Sequence, residues 1–420
     1  MSYGPHGVGR LDGKVIFARQ VAVGDEVDVE IVEDHGSYAY ASVERVVRAS
    51  ADHRTPPCPY LPRCGGCPWQ HLSYSAQLAA KHQSVRDHLE RIGRFRDVVV
   101  DPIVPSPEEL GYRSRLSLRT DGTDAGFYAA ASHDLVPVES CLLANATVNS
   151  VLPAAAALVR LLQGRLRRIE VAGDADEDRC VLIGEIEGQA VAADTLPIET
   201  FLRAQSPTVR GVVLRGKRWS RSWGECVLTV HPAAGESLRV HAGAFTQVNP
   251  AANRLLVQTV LALCQLTGRE RVMELYAGAG NFSLPLARRC ASLIAVEQNA
   301  LASSDAKRNA RMAGLANLEV VSDASHHALR RVVDRGERFD VVVLDPPRSG
   351  ARECMEGVLA LRPPVLIYVS CNPATLARDL RMIAGAYRID RVQPIDLFPQ
   401  TYHVETVVRA VLTCHGGAPI

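Results

Sequence analysis

Between Gly7 and Val47 apolar and polar residues alternate with period two in three short runs, Lys14–Ala18, Glu26–Val32 and Tyr38–Val47, with glycine turns between them. Period two sends successive side chains to opposite faces of a strand, so this stretch predicts a small β-barrel. A proline- and cysteine-rich stretch from Thr55 to Pro68 breaks the alternation, and apolar residues then recur at helical spacing from Ser75 to Ile92. A boundary near residue 50 follows, with the barrel over 1–50. From Val99 to Val240 the pattern is mixed, with short strands at Arg115–Arg119, Cys180–Ile186 and Gly211–Leu214 and one helix from Ala144 to Leu162, which predicts an α+β central domain over 51–240. Over 241–420 buried apolar strands alternate with helices: Arg271–Tyr276, Leu293–Glu297, Leu318–Ser322, Phe339–Leu344, Val365–Val369 and Arg391–Asp396. That alternation predicts an α/β domain with a doubly wound, mostly parallel sheet. The chain carries no internal repeat and no long low-complexity tract.

The 420 residues suit two or three domains, and the three patterns select three. No apolar run approaches the roughly 20 residues of a membrane helix. Met1 to Val15 carries glycines and charges where a secretion signal would carry an apolar core, so the expected location is cytoplasmic, with no membrane partner. A net charge of +1 gives the whole molecule no attraction for nucleic acid, so an RNA site would need a local basic patch. Of the 47 basic residues only Lys14, Lys81, Lys217 and Lys307 are lysine. Arginine suits bidentate phosphate contact and base stacking, though a coding bias accounts for the excess equally well. Eleven cysteines without an export signal argue against a disulfide scaffold and for metal binding or catalysis wherever they cluster.

Three strand ends carry candidate chemistry. The first strand of the α/β domain runs into Ala277-Gly278-Ala279-Gly280-Asn281-Phe282, where small residues let backbone approach a ligand, and Glu297 ends the next strand, where it can accept hydrogen bonds from ribose hydroxyls. A dinucleotide and S-adenosylmethionine both fit that pair. Asp345-Pro346-Pro347-Arg348-Ser349-Gly350 follows another buried strand with a stiff loop that leaves carbonyls free to face a substrate, a pattern like that of amino- and base-methylating enzymes. Ser370-Cys371-Asn372-Pro373 ends a third, and a helix starting near Pro373 would aim its positive end at the thiol and lower its pKa. A thiolate adding to carbon 6 of uracil turns carbon 5 into a nucleophile; after methyl transfer a base must remove the carbon 5 proton, and Glu405, at the start of a final apolar strand, suits that step. Taken singly, an inert buried thiol and a solvated acid account for Cys371 and Glu405 as well; their occurrence in one sheet in compatible order favours the chemistry.

With Phe245-Thr246-Gln247-Val248-Asn249 ahead of them, these motifs in this order resemble the uridine-C5 RNA methyltransferase family over nearly the whole chain. The resemblance implies a Rossmann-like class I methyltransferase domain and S-adenosylmethionine contacts from Gln247, Tyr276, Asn281 and Glu297. It also implies Asp345 between cofactor and target base, Cys371 as nucleophile and Glu405 as proton acceptor. Asp323 stands where related folds often hold the adenine. The N-terminal barrel resembles a TRAM domain, of the oligonucleotide-binding type, with Gly7-Val8-Gly9-Arg10 and Gly13-Lys14-Val15-Ile16-Phe17 matching its early turn and strand; the strand that usually precedes that turn is nearly absent.

Cys58, Cys64 and Cys67 are spaced C-x5-C-x2-C, which lets three thiolates converge, and spacing alone admits zinc or an iron–sulfur cluster. By the family resemblance Cys141 completes a [4Fe–4S] site. Cys180, Cys226, Cys264, Cys290, Cys354 and Cys414 show no grouping and read as packing residues. The family implies RNA as partner, ribosomal RNA before transfer RNA, and a monomer. An inactive RNA-binding homologue is opposed by intact Cys371, Glu405 and Glu297; a radical enzyme would need C-x3-C-x2-C spacing, which is absent.

Overall fold

The computed structural model describes residues 1–61, 63–188 and 194–413. Strands β1 (His6–Leu11), β2 (Lys14–Arg19), β3 (Glu26–Asp34) and β4 (Tyr38–Arg48) form a four-stranded sheet in the order β1-β2-β4-β3 around a small core of Ile16, Ala39 and Ala41. Gly7–Arg10, expected as a turn, lies inside β1; the chain reverses instead at Asp12 and Gly13, whose φ values of 48° and 82° are the left-handed geometry of a tight hairpin. Helix α1 (Tyr74–Arg91) starts at Ser73, whose hydroxyl accepts the Ala76 N–H.

The central region contains β5 (Arg115–Thr120), β6 (Ala125–Tyr128), β7 (Leu135–Pro137), α2 (Ala146–Ser150), α3 (Leu152–Leu161), β8 (Leu166–Gly173), β9 (Cys180–Ile186), α4 (Thr195–Gln205), β10 (Val209–Gly216) and β11 (Trp219–Gly224). Its strands form one mixed sheet, β11-β10-β9-β8-β5-β6-β7, with the helices' apolar faces packed on it. The single helix expected from Ala144 to Leu162 is two helices that divide at Val151. Pro153, in the first turn of α3, has no N–H to continue the ladder. Strand β8 escaped the periodicity because Arg167 and Arg168 interrupt its apolar run.

A hairpin of β12 (Val227–Val230) and β13 (Leu238–His241) leads to α5 (Pro250–Cys264) and then to β14 (Arg271–Leu275), α6 (Ser283–Ala287), β15 (Ser292–Glu297), α7 (Ala300–Met312), β16 (Leu318–Ser322), α8 (Ser325–Asp334), β17 (Val341–Leu344), α9 (Arg352–Leu361), β18 (Val365–Ser370), α10 (Pro373–Ile383), β19 (Tyr387–Ile395) and β20 (Glu405–Leu412). The seven strands order as β16-β15-β14-β17-β18-β20-β19, parallel except for β20, which runs antiparallel to both neighbours. This is the class I methyltransferase architecture. Period two splits each central strand between two cores: Val341, Val343, Ile367 and Val369 pack with α5 on one face, Val342, Leu344, Leu366 and Tyr368 with α9 and α10 on the other. Helix α1 joins the second core through Val85 and Leu89. Cys180, Cys226, Cys264, Cys290 and Cys354 are buried in these cores, and Cys414 lies outside the described residues.

Candidate active site

Sheet register brings the motif residues to one edge. Leu275 pairs with Val296 on one side and Leu344 on the other, so Tyr276, Glu297 and Asp345 leave adjacent strands together. Leu344 pairs with Tyr368, and Ser370 pairs with Thr406 across the antiparallel step, which sets Cys371 beside Glu405. Between β14 and β17 the chain order reverses, and ligands of open α/β sheets bind in the crevice outside the strand ends at that point. There the protein has a cavity of about 1040 Å³ whose wall includes Gln247, Tyr276, Asn281, Glu297, Asp345, Cys371 and Glu405.

Local bonds explain how each is held. Glu297 Oε2 accepts the Gly278 N–H at 2.9 Å and its Oε1 accepts the Asn299 N–H at 2.6 Å, which fixes the carboxylate and leaves lone pairs for further donors. Gly278 has φ 58° with open space where a Cβ would stand, so the backbone can meet a ligand there. Asn281 exchanges two hydrogen bonds with Asn253 of α5, at 2.8 and 3.1 Å, and the Tyr276 hydroxyl lies 3.3 Å from Cys354 Sγ. Gln247 precedes Asn249, which caps α5, and Arg115 of the central sheet holds the same segment through the Ala242 and Ala244 carbonyls. Asp323 stands apart from the cavity wall. Its carboxylate accepts the Ala324 N–H at 2.7 Å and pairs with Arg331.

Electrostatics at the strand ends differ from the sequence expectation. Helix α10 does begin at Pro373, beside Cys371, yet burial pushes the thiol up to about 11 and the Glu405 charge adds to that, with the Arg348 guanidinium offsetting part. Desolvation outweighs the helix end, so the free protein holds a thiol where a thiolate was expected. Burial raises Asp345 to about 7, and burial with repulsion from Asp345 raises Glu405 well above the carboxylate range, Arg348 again opposing. His403, pushed down to about 4 by burial and then by Arg348, is neutral and lies 3.3 Å from that guanidinium. Arg348 stood in its motif without a role and His403 was not singled out; their influence arises from proximity that sequence does not display. The Tyr3 hydroxyl donates to the Cys371 carbonyl at 3.2 Å, and Arg19 of β2 lines the same cavity, so the N-terminal sheet borders the site. Arg119, stacked 5.3 Å from the Tyr128 ring, walls it from the central sheet.

Cys58, Cys64, Cys67 and Cys141 line a second cavity, of about 150 Å³, together with Arg113. Burial raises the thiols of Cys64, Cys67 and Cys141. Among the described residues no three side chains are gathered closely enough to hold a single metal ion.

Residues 228–412 match the family model for tRNA (uracil-5-)-methyltransferases and residues 2–43 that for the TRAM domain. An uncharacterized RNA methyltransferase of Halalkalibacterium halodurans is 33% identical, over 96% of this chain and 93% of its own length. The chain belongs to the uridine-C5 RNA methyltransferase family. A second uncharacterized RNA methyltransferase, from Thermosynechococcus vestitus, is 35% identical over 98% of this chain and 96% of its own. Among solved structures, the methyltransferase resembles the Pyrococcus abyssi tRNA (uracil-54, C5)-methyltransferase in complex with S-adenosyl-L-homocysteine, with 26% identity, a TM-score of 0.71, and coverage of 97% of this chain and 98% of that one.

Proposed function

We propose that the protein transfers a methyl group from S-adenosylmethionine to carbon 5 of a uridine in RNA, through a covalent bond between Cys371 and carbon 6 that Glu405 resolves. The observation that carries this is the Ser370–Thr406 register, which sets a thiol and a buried carboxyl side by side at the cavity edge, with Asp345 on the neighbouring strand. Glu297, Gln247, Tyr276 and Asn281 would hold S-adenosylmethionine, with Gly278 giving close backbone approach; Asp323, off the cavity wall, would act on its adenine end at most through the β16 loop. Bound S-adenosylmethionine supplies the electrophilic methyl.

The chain's own groups do the rest. The Cys371 thiol gives its proton to solvent and the resulting thiolate adds to carbon 6, which makes carbon 5 the nucleophile. Asp345 faces the target base. Glu405 then takes the carbon 5 proton, the carbon 5–carbon 6 double bond re-forms, and the carbon–sulfur bond breaks with its electron pair returning to Cys371. Both groups act deprotonated, so Arg348, which favours both anions, tunes the site.

The reading extends to three domains, 1–50, 51–240 and 241–420, and to a monomer acting in the cytoplasm. A [4Fe–4S] cluster on Cys58, Cys64, Cys67 and Cys141, which line one cavity of about 150 Å³, is part of it. Its part would be structural, since methyl transfer needs no electrons. Ribosomal RNA is the favoured substrate, from the joint presence of a TRAM region and the cysteine loop. Transfer RNA is the second reading, favoured by the substrate of the Pyrococcus relative.

The test is tritium release from carbon 5-labelled uridine in purified ribosomal and transfer RNA, with wild-type protein and Cys371→Ala. Release from one RNA names the substrate. Release by Cys371→Ala at the wild-type rate, or by neither protein from either RNA, would overturn the covalent reading.

A further inference from the structure

The segment that delivers Glu405 to the cavity is held from behind by a helix remote in sequence. After β19 ends at Ile395, residues 396–404 carry Phe398, Thr401, Tyr402 and His403 along the cavity wall to β20. Helix α1 sets Gln77 and Lys81, one turn apart on one face and both fully buried, against the rear of this segment. The Lys81 ammonium donates to Asp396 Oδ1 at 2.6 Å and to the Phe398 carbonyl at 3.0 Å, and the same Asp396 oxygen accepts the Phe398 N–H at 3.0 Å. Gln77 accepts the Gln400 N–H at 2.8 Å through its side-chain oxygen and donates its amide to Gln400 Oε1 at 3.0 Å. Gln400 is held with φ 69°, a left-handed geometry uncommon for a residue other than glycine. Between them, the Asn249 amide donates to the Leu397 carbonyl at 3.1 Å and the Tyr112 hydroxyl to the Pro399 carbonyl at 3.0 Å.

Five consecutive residues, 396 to 400, are thus each bonded from outside their own strand pair. A buried ammonium–carboxylate pair gains little stability over a well-packed apolar pair, because desolvation of both ions offsets their attraction. What directed bonds supply, and apolar contact does not, is a defined backbone path. We propose that Gln77 and Lys81 are positioning residues that set the path of 396–404 and so place the Glu405 carboxylate against the carbon 5 proton. This rests on the reading of Glu405 as the base. A displaced Glu405 slows removal of that proton, so the carbon 6–sulfur bond cannot break, while the earlier addition and methyl transfer proceed. RNA then stays attached to Cys371.

The experiment uses the full chain, as Lys81→Met/Asp396→Leu, which removes both charges and leaves no lone buried ion, as Gln77→Met, which keeps the ion pair, and as Glu405→Gln for comparison. Turnover, melting temperature and the fraction of protein migrating with RNA on denaturing gels are measured. The expected result is a melting temperature near wild type, turnover reduced about 10–100-fold, and covalent RNA accumulating in the double variant as in Glu405→Gln, with a milder form in Gln77→Met. Should the double variant not fold, Gln77→Met decides by the same readout. Wild-type turnover, or slow turnover with no covalent RNA while Glu405→Gln retains it, would overturn the positioning role alone. Absence of covalent RNA in Glu405→Gln itself would remove the base reading and this inference with it.

Discussion

Glu274 → Gln should make the protein more stable at alkaline pH without a matching gain at acid pH. Glu274 lies on β14 two residues before Tyr276 and is 1% exposed; the Ser283 hydroxyl donates to its Oε2 at 2.5 Å, and its Oε1 has no hydrogen-bond partner among the described residues. Burial raises the carboxyl from 4.5 to about 8, with Ser283 pulling it down and the charges of Asp345 and Glu297 adding. A carboxyl whose folded pKa is raised contributes stability that is fully present below the unfolded pKa and is lost as pH rises through the folded one. Each pH unit in that window costs about 1.4 kcal/mol, so the loss is about 2 kcal/mol near pH 6 and about 4–5 kcal/mol near pH 8.5. Glutamine keeps an acceptor for Ser283 and cannot ionise. Its amide inherits the unpartnered position of Oε1, a cost of about 1–3 kcal/mol that does not depend on pH. That cost cancels when the variant is compared with wild type at two pH values. Urea unfolding of both proteins near pH 6 and pH 8.5 should therefore show the gap moving in favour of the variant by about 2–3 kcal/mol. A gap constant to within about 0.5 kcal/mol would mean that Glu274 titrates near its ordinary value and that β14 carries no ionisation cost.

Arg348 → Gln removes the guanidinium that opposes the raised pKa values of Cys371 and Glu405. Because both act deprotonated, the wild-type methylation rate should climb through neutral pH, and the variant's profile should lie about half to one pH unit higher; superimposable profiles would refute this coupling. Protein purified without oxygen should carry about four irons per chain, measured with acid-labile sulfide, and Cys141→Ser should lose them. Zinc in the wild type would remove the cluster from the reading, and iron unchanged in the variant would remove Cys141 from its ligands.

The parallel strands were legible because a strand buried on both faces must be a continuous apolar run, and Val341–Leu344 and Val365–Val369 are. The residues that follow such runs fall at one sheet edge in any doubly wound fold, so Glu297, Asp345 and Cys371 could be grouped before their distances were known. Helix α1 was legible as a helix from its spacing, though its partner was not: whether Val85 and Leu89 cover the central sheet or the methyltransferase sheet depends on contacts hundreds of residues away. The same holds for Lys81, whose buried pairing with Asp396 spans 315 positions.

What the sequence by itself determined is the local grammar: periods of two and 3.6 and the motifs that close each buried strand. These depend on neighbours a few residues away. Only the tertiary structure decided that the Cys371 thiol stays protonated despite the helix end beside it and that Asp323 sits off the cavity wall. Desolvation and charge coupling are sums over every group that folding brings near, and those sums have no value until the chain has folded.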